Sequence, residues 1–212
     1  MHSEELETKR RKEIVDACER LHGTVGFSGT TLKDIARETS MSRPSIYNYF
    51  RTKEEIFLAL FAREYDRWNA DLAHVLAAPA PLATEPLADR LARSLERRGL
   101  LLKLLSMNLY DMEAGSRQEN LTAFKHSFGE SLRLVRAILD RHILAASNAD
   151  REAFVWAFFP FMFGIHPYTA ATPKQLAAMK AAGIAFRPPS VRSLVRGFVL
   201  RFFNTTHKEP PK

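Results

Sequence analysis

Residues 30–57 read Thr-Thr-Leu-Lys-Asp-Ile-Ala-Arg-Glu-Thr-Ser-Met-Ser-Arg-Pro-Ser-Ile-Tyr-Asn-Tyr-Phe-Arg-Thr-Lys-Glu-Glu-Ile-Phe. Thr31 with Asp34 three positions on is a capping-box-like helix start, and Leu32, Ile35 and Ala36 share the inward face that follows. That helix is short and ends near Thr39. Ser42 is a second N-cap residue, and Pro44 falls in the first turn, where a missing amide hydrogen has no intrahelical partner to lose. A second helix is therefore expected at about 43–49. Only Thr39, Ser40, Met41 and Ser42 join the two, which sets them at the steep angle of a helix-turn-helix, the geometry of a DNA reader.

Outward from this pair the pattern stays helical. Over residues 9–22, Ile14, Ala17, Cys18 and Leu21 recur at the spacing of an amphipathic helix, and Gly23 reads as its stop. Lys53-Glu54-Glu55 opens a long helix with an inward stripe of Ile56, Phe57, Leu60, Phe61, Tyr65, Trp68, Leu72 and Val75, ending before Pro79. Residues 77–86 are a breaker-rich loop, left at Pro86. Further helices are expected at 86–97, 99–113, 118–144, 149–166, 173–182 and 190–204, with cap-type starts at Thr172-Pro173 and Ser190 and a stop at Gly183. Internal repeats and strand-like alternation are absent, so the fold class is all-α: three helices over 1–52, then a linking helix and a helical domain over 53–212.

The composition narrows the function. The chain has 212 residues, 46% hydrophobic and 26% charged, which suits a globular protein with a sizeable core. The apolar run at 154–165 is too short for a membrane span and contains Pro160, and the N-terminus lacks a signal-type apolar stretch, so a cytoplasmic protein is expected. One cysteine, Cys18, supports neither an internal disulfide nor a thiolate cluster, and its place on the Ile14–Leu21 stripe makes it a small core residue. The seven histidines are scattered, so neither a metal nor another cofactor is expected. The net charge of +7 and sequence pI of about 9.7 favour a polyanionic partner. That excess is diffuse, but Lys9-Arg10-Arg11-Lys12 and then Lys33, Arg37, Arg43, Arg51 and Lys53 concentrate cations early.

The Ile-Ala pair, the Ser-Ile-Tyr-x-Tyr-Phe helix and the Lys-Glu-Glu start, at their spacing, closely resemble the DNA-binding domain of TetR-family transcriptional regulators. With the first helix the resemblance covers residues 9–57, and it departs at Ser40, where the family often has glycine in the turn. It implies a C-terminal effector-binding and dimerisation domain, regulation by a ligand, and repression of an overlapping promoter as the default. By similarity Tyr47, Tyr49 and Lys53 clamp the DNA backbone.

The division between base edges and phosphates assigns the other residues. Arg43 is the candidate for a bidentate contact to guanine. Pro44 and Ser45 adjoin it, facing a thymine methyl or the backbone. Tyr47 and Asn48 project one turn later, the amide suited to adenine or to phosphate. Thr31 and Lys53 stand at helix starts, where donor and dipole together favour phosphate, and Ser42 starts the reading helix. Lys9, Arg10 and Arg11 either reach the neighbouring groove or form a solvated helix start.

One reading helix covers too few bases to select a genomic site, so a twofold homodimer on a palindromic double-stranded operator is expected. Its interface is expected from Phe154, Phe158, Phe161 and Met162, on a helix apolar all round, and from Leu194, Val195, Phe198 and Phe202 on the last helix; the alternative is that both are internal core. An apolar or aromatic effector would be lined by Met107, Asn108, Tyr110, Asp111, Phe124, Phe128, Trp156, Phe159, Phe163 and His166, with Pro160 kinking the helix beside them. A catalytic role fails for want of a nucleophile elbow, phosphate loop or metal triad. The competing reading is a constitutive DNA binder whose C-terminal half holds a protein partner.

Overall fold

The computed structural model describes residues 2–107 and 109–205, all helix and connection with no strand among them. Its elements are α1 (His2–Gly29), α2 (Leu32–Arg37), α3 (Arg43–Ile46), α4 (Lys53–Leu76), α5 (Thr84–Glu96), α6 (Gly99–Leu105), α7 (Leu109–Ala114), α8 (Gln118–His142), α9 (Asn148–Thr169), α10 (Pro173–Ala181) and α11 (Val191–Thr205). None is long and apolar enough, among the described residues, to cross a membrane.

Packing divides the chain differently from a cut at residue 52. One compact unit takes residues up to 63 with 109–128; the other takes 64–107 with 129 onward. The first unit closes over Ile14, Cys18, Ile35, Ile46, Phe50, Phe57, Phe61 and Phe124, all buried, with Phe61 and Phe124 rings 5.1 Å apart. The second buries Trp68, Leu72, Leu91 and Phe159, and the Trp68 indole N–H donates to Ser94 Oγ at 3.0 Å. There α11 packs on α5 and α9, and α6 on α9. The whole inward stripe expected of α4 is buried.

Three local expectations shift. Helix α1 does not stop at Gly23; it begins at His2 and runs to a break at Gly26, whose φ of 72° is open to glycine and strained for any side chain. The helix expected at 99–113 is two, α6 and α7. The helix expected at 149–166 runs on to Thr169, as α9, with Pro160 and Pro167 both inside it.

Candidate nucleic-acid interface

The reading helix is short and firmly seated. Ser42, in extended conformation, caps α3 by accepting from the Ser45 amide at 3.3 Å, as Thr31 caps α2 from the Asp34 amide at 3.2 Å. The turn after α3 is closed by the Tyr49 and Phe50 amides, each donating to Ile46 O at 2.9 Å. Ile46 and Phe50 are buried, which leaves Ser42, Arg43, Pro44, Tyr47 and Asn48 exposed together, with Ser45 and Tyr49 half-buried beside them. Arg43 Nη2 donates to the Tyr47 hydroxyl at 3.2 Å, and its guanidinium lies 5.9 Å from that ring centroid. One face thus offers a fork of N–H donors and a phenol, prearranged by each other.

Ser40 needs no glycine in its place: among the described residues only Gly26 and Gly183 have positive φ. The Ser40 amide donates to Glu13 Oε1 at 2.5 Å, and this bond holds the Glu13 carboxyl below its ordinary range.

Several cations are already occupied. Arg10 bonds Glu13 and Ser40 Oγ, at 3.1 and 2.6 Å. Arg11 stacks 4.3 Å from the Phe50 centroid and donates to Tyr49 O at 3.2 Å and Asn120 Oδ1 at 3.1 Å. These two arginines brace the unit, while Lys9 is exposed. The Lys53 ammonium sits 4.2 Å from the Phe27 ring centroid and donates to Phe27 O at 3.2 Å, so one of its three protons is committed inside the fold.

A network with no sequence signature closes the far end of this site. The Glu55 side chain is 1% exposed and takes Arg117 Nε on one oxygen at 2.7 Å and Nη2 on the other at 3.0 Å. The same carboxylate accepts from the amides of Arg117 at 3.0 Å and Arg51 at 2.7 Å. Burial pushes this carboxyl up, but the Arg117 side chain first and the two amides next outweigh it and hold its pKa at about 2. Thr52 Oγ1 donates to Gly115 O at 3.0 Å, an approach suited to glycine, because a Cβ there would meet Glu54 Cγ at 3.0 Å.

The residues expected to line an effector site are dispersed. In the first unit Tyr110 is 87% exposed, Asp111 is exposed, Phe124 is core and Phe128 half-buried. In the second, Phe159 lies in the core with its ring centroid 6.1 Å from that of Trp68, Met107 and His166 are half-buried, and Trp156 and Phe163 are 64% and 37% exposed. Burial and then the Lys103 charge hold the His166 pKa below its ordinary value. Asn108 lies outside the described residues.

Among the expected interface residues, Phe154, Phe158, Met162 and Val195 are wholly buried within the second unit and have no surface left for a partner. Phe161, Leu194, Phe198 and Phe202 are half-exposed instead, lining with Arg201 a shallow groove of about 370 Å³ in which Phe161 and Phe198 stack at 4.4 Å. Helix α9 also leaves Ala153, Trp156, Pro160, Phe163, Gly164 and Pro167 exposed, a wholly apolar stripe along one side.

A family model described as bacterial regulatory proteins, tetR family, matches residues 14–60, and one described as tetracyclin repressor-like, C-terminal domain, matches 62–202. A curated relative, the uncharacterized HTH-type transcriptional regulator YfiR of Bacillus subtilis, is 38% identical over 55 residues, so that the match spans 26% of this chain and 27% of that protein. A TetR/AcrR-family transcriptional regulator from Thermobifida fusca is similar in structure with a TM-score of 0.61 at 16% identity, over 94% of this chain and 100% of that one. The regulator FadR from Bacillus subtilis, solved in complex with stearoyl-CoA, reaches 0.59 at 15% identity, over 90% and 96%. Such identities show a shared fold alone, whereas the second family model by itself spans most of the sequence. A seated helix-turn-helix followed by a helical unit that matches this model establishes that the chain belongs to the TetR family of bacterial regulatory proteins.

Proposed function

We propose that the chain is a sequence-specific DNA-binding transcriptional regulator, a repressor that leaves a palindromic operator when a small apolar or aromatic ligand binds. The observation that carries this reading is the exposed row of Ser42, Arg43, Pro44, Tyr47 and Asn48 on a helix anchored behind by Ile46 and Phe50. Arg43 reads guanine, while Thr31, Ser45, Tyr49 and the remaining protons of Lys53 meet phosphate. The operating unit is a homodimer, joined through Phe161, Leu194, Phe198 and Phe202 and through the Trp156–Phe163 stripe of α9. Those side chains are large, apolar and outward-facing, which is the character of an interface core.

The effector is taken by the second unit, where the half-buried Met107 and His166 offer apolar surface and one polar group on or beside the packed pair α6 and α9. That FadR was solved with stearoyl-CoA is consistent with an apolar ligand. The deciding experiment is selection of fragments bound by the purified chain from the genome that encodes it, repeated with Arg43→Ala. A palindromic site, lost with Arg43→Ala and bound less tightly as salt rises, is the expected outcome. Uniform weak binding with no enriched sequence would refute the reading.

A further inference from the structure

The carbonyl of Tyr49 lies at the close of the turn that follows the reading helix α3, beyond the helix's own hydrogen bonds. It receives two guanidiniums from distant parts of the chain: Arg11 Nη1 at 3.2 Å and Arg117 Nη2 at 3.2 Å. The Arg117 head cannot wander, because Glu55 grips it through both carboxylate oxygens and Glu119 takes Nη1 at 2.9 Å. Glu55 also holds the amide of Arg51, two residues beyond Tyr49. Arg117 stands at the corner between α7 and α8, immediately before Gln118 opens α8. The turn that closes the reading helix is therefore bonded to a side chain 68 residues away in sequence.

We propose that Arg117 is a positioning residue for DNA reading: by holding Tyr49 O while locked to Glu55, it fixes the turn at the C-terminal side of α3 and so the register of Arg43, Tyr47 and Asn48 on the bases. This rests on the DNA-reading function proposed above. Base contacts depend on register to a fraction of an ångström, whereas attraction to phosphate does not. Loosening this end thus lowers discrimination more than it lowers binding in general. Lysine keeps the charge but lacks the planar fork that serves Glu55 and Tyr49 at once.

The test compares the full chain with Arg117→Gln, Arg117→Lys and Arg11→Gln. Each is titrated at one salt concentration against the selected operator duplex and a scrambled duplex of equal length. Amide hydrogen exchange at Tyr49 and Phe50 is read in parallel, and far-UV circular dichroism checks the fold. Arg117→Gln is expected to weaken operator binding by about tenfold, the order of one charge-assisted hydrogen bond, while scrambled binding changes by less than about twofold. Exchange at Tyr49 and Phe50 accelerates, and Arg117→Lys falls between. A folding defect would instead depress both duplexes together, and equal losses with unchanged exchange overturn the positioning role. Undiminished discrimination in every variant overturns it as well. Should the wild-type chain itself prefer no duplex, the function proposed above fails, and the positioning role fails with it.

Discussion

Acid and the Glu55→Gln substitution act on the same bond set, and their effects are linked in sign and size. The Glu55 carboxyl has a pKa of about 2 in the fold, against an ordinary 4.5. Each pKa unit is worth about 1.4 kcal/mol, so the depressed carboxylate contributes on the order of 3 kcal/mol to stability. A pKa lowered by folding stabilises the fold above the unfolded value. The contribution is thus complete above about pH 4.5 and is lost as pH falls toward about 2. Glutamine at 55 retains hydrogen-bonding atoms but no charge, so Glu55→Gln lowers stability at pH 7 by up to that order. The gap to wild type then narrows below about pH 4.5 and closes near the bottom of the range. Urea unfolding at pH 7, 5, 4 and 3, followed by far-UV circular dichroism, measures the gap directly. A gap that is absent at pH 7, or that stays constant down to pH 3, would show that the carboxylate is not held as the geometry requires.

Other perturbations separate surface from core. Phe158→Ala, at a fully buried position, is expected to cost about 3–5 kcal/mol and to lower the melting temperature sharply. By contrast Phe198→Glu, on the half-exposed groove, should leave helical content unchanged while shifting the sedimentation coefficient from dimer to monomer. Ser42→Ala removes the cap of α3 and is expected to cost about 1 kcal/mol in urea unfolding. Cys18 is buried, and burial first of all raises its thiol pKa to about 12. A disulfide reagent at pH 8 should therefore leave the native chain unlabelled and label it fully in urea.

Much of the fold could be read along the chain because its signals are local. The N-caps Thr31 and Ser42, Pro44 in a first turn and the eight-member stripe of α4 act within a turn or two of themselves, and each stands in the structure as its spacing implies. The exposed face of the reading helix follows from the same periodicity, since burying Ile46 and Phe50 forces Arg43, Tyr47 and Asn48 outward. Periodicity is blind where a helix is apolar on every side. In α9 it could not tell Phe154 and Phe158, which face inward, from Trp156 and Phe163, which do not. Nor could it tell a cation free for phosphate from one engaged within the fold: Arg10, Arg11 and Lys53 differ from Lys9 only in what folding brings against them. The Glu55–Arg117–Tyr49 bonds join residues 62 and 68 positions apart. Spacing along one helix carries no trace of such a bond. It exists because chain closure sets the α7–α8 corner beside the reading helix, where a buried carboxylate must find a guanidinium or lose its charge.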